Sequence, residues 1–133
     1  SAPAQAGEAL YVAGCSLTGV GTAFVHSPMR HVVLEGSPLR MANFSETPFK
    51  AVRFSGCDLT ESVFLQCVPQ DLSFESCKLV KINFCRTRLA GIDFSANQLE
   101  GILISGDELR DAVVSPLQAV ELARLLGVRV KDG

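Results

Sequence analysis

From Phe44 to Val114 a large apolar residue returns at nearly every fifth position. Phe44, Phe49, Phe54, Leu59, Phe64, Phe74, Leu79, Phe84, Leu89, Phe94, Leu99, Ile104, Leu109 and Val114 fall on one series, broken at Pro69. A spacing of five suits neither a helix at 3.6 nor a strand at 2, so it marks a repeat. The residue two places before each of these is mostly small or aliphatic, as at Ala42, Val52, Cys57 and Ile82. Two side chains in five therefore point inward, and the other three hold nearly all the charge. A chain patterned in this way turns a corner every five residues, and four such units close one coil of twenty. The twenty-residue period is itself visible: Leu39, Leu59, Leu79 and Leu99 are all leucine, while Phe24, Phe44, Phe64 and Phe84 are all phenylalanine. Coils stacked at about 4.8 Å turn each series into an internal ladder of like side chains.

Residues 10–114 carry this pattern, and residues 1–9 read as a disordered or cloning-derived N-terminus. Leu10, Val12, Cys15 and Leu17 resemble two earlier units, but the step from Leu17 to Phe24 is seven, which predicts an irregular turn near Gly19 to Gly21. Pro69 cannot donate a backbone hydrogen bond. Either its face carries a local gap, or the unit Cys67-Val68-Pro69-Gln70-Asp71 loops outward, the bulge being the plainer expectation. Asn97 and Asp107 occupy inward positions and are expected to bond backbone groups at corners.

After Val114 a different code begins. Ser115-Pro116-Leu117-Gln118 reads as a capping box with proline at the first helical position, and Gly127 ends the helix. Residues 115–133 thus form a capping helix and tail. Ala119, Val120, Leu122, Ala123 and Leu126 make one apolar face, expected to plug the open end of the cylinder, with Gln118, Glu121 and Arg124 on the opposite side. Leu117, Leu125, Val128 and Val130 are left over, and a helix apolar nearly all round needs a second partner.

The units Ala42-Asn43-Phe44-Ser45-Glu46, Cys57-Asp58-Leu59-Thr60-Glu61 and Ile92-Asp93-Phe94-Ser95-Ala96 resemble the pentapeptide-repeat family, roughly Ala-Asp/Asn-Leu/Phe-x-x. The resemblance implies an all-β solenoid, a right-handed quadrilateral β-helix with a C-terminal capping α-helix. It brings no catalytic residue, because the motif is structural. The segment Val113 to Val130 is also similar to the C-terminal cap of the gyrase-protecting, quinolone-resistance branch. That similarity implies a homodimer through Leu117, Leu125, Val128 and Val130, and a DNA-mimicking modulator or protector of a type II topoisomerase as the alternative to a general protein-interaction or scaffold module.

Composition narrows the choices. Fourteen acidic against twelve basic residues in 133 give a net charge of −2, so neither a basic nucleic-acid binder nor a strongly acidic DNA mimic is indicated. No apolar run is long enough for a membrane span, and the start lacks the pattern of a signal peptide, so a cytoplasmic protein is expected. A start without Met is equally compatible with a piece of a longer chain. Five cysteines are read as reduced, Cys15, Cys57, Cys67 and Cys77 packing inward as compact hydrophobes and Cys85 pointing outward. His26 and His31 have no nucleophile or acid at matched spacing, and with Cys15 they fit no closed zinc site. No enzyme, metal or cofactor is expected.

Outward positions sort by face. Asp58 stacks under Lys78 and Glu61 under Lys81, complementary pairs of small energetic weight. The phenylalanine face is less polar, and Val25, Val63, Leu65, Cys85 and Leu103 are its candidate partner surface.

Overall fold

The computed structural model describes residues 10–13 and 20–131. Four parallel strands form one sheet in chain order: β1 (Leu10–Ala13), β2 (Met29–Glu35), β3 (Pro48–Ser55) and β4 (Val68–Glu75). β2 pairs with β3 and β3 with β4 in steps of twenty, as in Phe54↔Phe74. Between β1 and β2 the step is 32 − 10 = 22, from Leu10↔Val32, so two extra residues are absorbed between Ala13 and Met29. The readings of Cys15, Leu17 and Gly19 lie outside the described residues. The other faces are joined by single bridges at the same period, such as Asn43↔Val63↔Asn83↔Leu103 and Pro38↔Asp58↔Lys78↔Gln98. The chain is a β-helix solenoid with one C-terminal helix.

Local chemistry explains why each unit is five residues long. The corner residue adopts positive φ in unit after unit, including Gly56, Glu61, Gln66, Asp71, Ser76 and Lys81. Such a conformation costs a non-glycine residue about 1 kcal/mol, so the corners survive on what the coils gain elsewhere. Part of that gain is local. The side-chain oxygens of Asn43, Asp58, Asn83 and Asp93 accept the backbone N–H two residues on, at 2.8–3.1 Å. An Asx turn is thus built into the position before the central Phe or Leu.

Inside, Phe44, Phe54, Phe64, Phe84 and Phe94 are buried at 0–1% exposure together with Leu39, Leu59 and Leu79. Rings stack within columns, with Phe44 and Phe64 4.8 Å apart, and meet edge to face between columns, with Phe54 and Phe64 5.9 Å apart. The inward small residues obey a second rule. The hydroxyl, thiol or amide at Thr47, Cys57, Cys67, Cys77, Thr87 and Asn97 donates to the backbone carbonyl 23 residues earlier, for example Cys67 Sγ to Phe44 O at 3.1 Å and Asn97 Nδ2 to Phe74 O at 3.0 Å. Residues that donate in this way recur every ten positions, and the units between them carry Val52, Ser62, Leu72, Ile82 and Ile92, with Ser62 donating instead to Leu59 O at 2.7 Å. Burial pushes the Cys67 thiol up, and the neighbouring Cys57 together with burial does the same to Cys77. Cys57, Cys67 and Cys77 are buried free thiols that serve as hydrogen-bond donors.

Three expectations need correction. The Pro69 unit does not loop out. Pro69 stays in register with Phe49 inside β4, and the face carries a gap on the far side instead. Asp107 is exposed, and Glu108 takes the inward place at 6% exposure. The corner at 105–107 opens, and the Glu108 carboxylate accepts the N–H groups of Arg86, Ser105 and Gly106 and the Ser105 hydroxyl at 2.6–2.8 Å. Asp58–Lys78 and Glu61–Lys81 stack in register without forming ion pairs. The salt bridge found among the described residues is His26 Nε2–Glu46 at 2.8 Å, between exposed side chains.

Candidate interaction surfaces

The C-terminal end is where the repeat has to be closed. α1 (Pro116–Leu125) starts with the capping box: Ser115 Oγ accepts from Gln118 N, and Gln118 Oε1 accepts from Ser115 N at 2.9 Å. It ends in a Schellman motif, with Gly127 N donating to Arg124 O and Val128 N to Ala123 O. Gln118 does more than cap. Its Nε2 donates to Phe94 O and Asn97 O, both at 2.8 Å. In the regular coils the carbonyl at the Asn97 position accepts the N–H of the residue 21 further on, as Cys77 O does from Gln98 N, and the carbonyl at the Phe94 position accepts a side-chain donor 23 further on, as Phe74 O does from Asn97 Nδ2. One side-chain amide therefore stands in for the missing next coil.

The helix covers the core only in part. Leu122 packs against it, but Ala119 is exposed and Leu126 is 65% exposed. The face expected to plug the cylinder is thus turned partly to solvent, because Gln118, assigned to the polar side, faces the cylinder to reach its carbonyls. No residue of α1 is buried. Leu117 is 74% exposed, Leu125 46% and Val128 54%, while Val130 is half-buried. With Leu126 they leave apolar side chains exposed on the helix and tail, among the exposed Glu121, Arg124 and Arg129. The tail after Gly127 forms no strand among the described residues. Between α1 and the edge of the last coil lies a groove of about 490 Å³, whose walls include Leu99, Ile102, Leu117, Leu122 and Leu125.

The phenylalanine face is weaker. Val25 and Leu103 are exposed, and Val63, Leu65 and Cys85 are half-buried. Asn43, Ser45 and Asn83 alternate with them along the same face, so no continuous apolar stripe results. Among the described residues no cluster of His, Cys, Asp and Glu could hold a metal ion. No helix among them is long and apolar enough to cross a membrane.

Sequence reasoning missed Glu108 and the docking role of Gln118. Glu108 is tuned to its place. Burial raises its pKa, but the Ser105 hydroxyl and N–H and the Arg86 N–H outweigh burial and bring it to about 2. For Gln118 the signal was the end of the five-residue series, where a side chain has to satisfy carbonyls that no further coil will reach; for Glu108 it was the Ser105-Gly106 corner, whose N–H groups a nearby carboxylate can take.

A twenty-residue parallel coil with Asx turns and stacked Phe and Leu columns defines a repeat solenoid. A family model described as "Pentapeptide repeat region" matches residues 13–84 and 47–123. The chain belongs to the pentapeptide-repeat family. Among solved structures it is similar to HetL, a pentapeptide repeat protein involved in heterocyst differentiation regulation from the cyanobacterium Nostoc sp., at 16% identity and a TM-score of 0.53. That match covers 72% of this chain and 46% of HetL, so the chain spans under half of HetL's length. It is also similar to full-length QnrB1, a plasmid-mediated fluoroquinolone resistance protein, at 12% identity and a TM-score of 0.42, covering 91% and 99% of the two chains. No curated protein matches the chain. At these identities the likeness to HetL speaks for the fold alone.

Proposed function

We propose that the chain is a non-enzymatic binding module that pairs with a second copy through its C-terminal end and offers the long faces of the solenoid to a protein partner. The observation that carries this reading is the uncovered apolar end: Leu117, Leu125, Leu126 and Val128 lie 46–74% exposed on the helix and tail of an otherwise well-filled rod. Apolar patches of this kind mark contact sites on soluble domains. The pairing would set two cylinders end to end and cover the last coil, which α1 alone leaves partly open. The convex, side-chain-filled cylinder supports binding over catalysis, since a deep pocket with convergent reactive groups is what an active site needs. Mixed outward charge favours a general protein partner over mimicry of nucleic acid.

Light scattering on the full chain and on Leu125→Glu tests the proposal. A dimer is expected that becomes monomeric in the variant, with an unchanged far-UV circular dichroism spectrum. A monomer in both samples would remove the pairing. Pull-down from lysate with Leu65→Glu and Leu103→Glu then asks whether the phenylalanine face is the one used. Recovery of the same partner by both variants would move the partner to another face.

A further inference from the structure

The gap beside Pro69 runs along two adjacent faces. Among the described residues no backbone hydrogen bond joins β4 to residues 88–96, and β4 is the last strand of its sheet. The contrast with neighbouring coils is direct. Gly56 N donates to Glu75 O at 2.8 Å one coil earlier, while the equivalent N–H of Ser76 has no such bond to residue 95. On the other two faces the stitching is unbroken, as in Glu61 N to Val80 O and Phe64 N to Asn83 O.

Pro69 provides a cause. The regular ladder donates from each central residue to the carbonyl 19 positions on, as Phe44 N does to Val63 O and Leu89 N to Glu108 O. At position 69 there is no N–H to donate. The core registers the same break: Phe74 and Phe94 stack at 6.0 Å, against 5.4 Å for Phe54 and Phe74 in the coil step before. A Cβ added to Gly91, on the upper lip, would meet nothing within 4 Å, whereas one at Gly101, on a stitched face, would meet Lys81 Cγ at 3.1 Å.

The slot, about 590 Å³, is closed at both ends by side chains. At one end Thr87 Oγ1 accepts from Cys67 N and donates to Phe64 O, and at the other Asn97 bonds Cys77 N and Phe74 O. The rod is thus hydrogen-bonded without a break on one side, and among the described residues the other side is joined across the slot by two side-chain staples and core packing.

We infer that this slot is a flexure built into the solenoid. The coils above and below it tilt about the stitched Leu59–Leu79 and Phe64–Phe84 side, so the slot opens and closes and the C-terminal end swings in one plane relative to β1–β4. A rod that bends at one level fits its long faces to partners of differing curvature. Backbone bonds set the stiffness of stacked strands, and a level without them on two faces is the first to yield.

Dipolar broadening of continuous-wave electron spin resonance spectra, which reads separations of about 10 Å such as two coil steps, tests this in a Cys15→Ser, Cys85→Ser background. Spin labels at Lys50→Cys and Ala90→Cys span the slot, and labels at Arg40→Cys and Val80→Cys span two stitched steps. The first pair is expected to give a distance distribution at least twice as broad as the second. Pro69→Leu, which restores the donor in a column of Phe49 and Leu89, should narrow the first pair and leave the second unchanged. It should also slow hydrogen exchange at Asp71 and Phe74 at least tenfold. Equally narrow distributions in the two unmodified pairs would overturn the flexure, and a broad first pair that Pro69→Leu fails to narrow would overturn its assignment to Pro69.

Discussion

The middle of the solenoid and its C-terminal end solve the same problem by different means. Around Phe64 every coil has a neighbour above and below, so backbone bonds and core contacts come from repetition, and the residue is fully buried. The repeat stops after Val114, and shortly before that its corner at 105–107 is irregular. At that corner the Glu108 carboxylate takes the Arg86 N–H, and after the last coil the Gln118 amide reaches the carbonyls that a further coil would have met. Away from the Pro69 slot, repetition makes the middle robust and nearly anonymous, whereas the end depends on single side chains that no period announces.

The largest effect should follow from breaking the middle. Phe64→Ala removes a ring at the centre of the aromatic columns and should cost about 3–5 kcal/mol in urea unfolding. A loss below about 1 kcal/mol would mean that the columns are not packed as described.

Breaking the end by pH comes next. The folded pKa of Glu108 is about 2, below the ordinary value of about 4.3 for a free glutamate. Its ionised form is therefore favoured in the folded chain. That contribution, about 3 kcal/mol at most, is complete above about pH 5 and is lost as pH falls toward 2. Glu108→Gln should abolish this part of the acid sensitivity while lowering stability at neutral pH. Parallel stability–pH curves for the two proteins would contradict the assigned environment.

Gln118→Ala removes the reciprocal half of the capping box and uncaps two carbonyls, at a cost of about 1–2 kcal/mol. Its sharper signature is early loss of protection in α1 by hydrogen exchange, with the amides of the central coils unaffected. Uniform loss along the chain would show that cap and coils unfold as one unit. At the bottom of the scale, Lys50→Ala changes an exposed corner-side residue and should stay within about 0.5 kcal/mol. A cost matching that of Phe64→Ala would show that inside and outside have been exchanged.

Much of the middle could be read from the chain. The spacing of Phe44, Phe64 and Phe84 led to a coil of twenty, and the seven-residue step to Phe24 matches the two residues absorbed before β2. The ten-residue recurrence of inward side-chain donors was also present, in Thr47, Cys57, Cys67, Cys77 and Thr87. Its meaning emerged only with the carbonyls 23 positions earlier in view. The candidate surfaces were less legible. Val63, Leu65 and Cys85 are half-buried by their neighbours, and Ala119 and Leu126 turned outward once Gln118 claimed the cylinder.

The sequence by itself determined the solenoid, its twenty-residue register, its core and the capping box of its helix, because each rests on side-chain type repeated at a fixed interval or on contacts within a few residues. Only the tertiary structure decided where the rhythm yields: a gap in place of a bulge at Pro69, Glu108 inside in place of Asp107, and a cap seated by Gln118. Those choices compare the bonds available on either side of a coil, and such partners lie about twenty residues apart, beyond the reach of any local pattern.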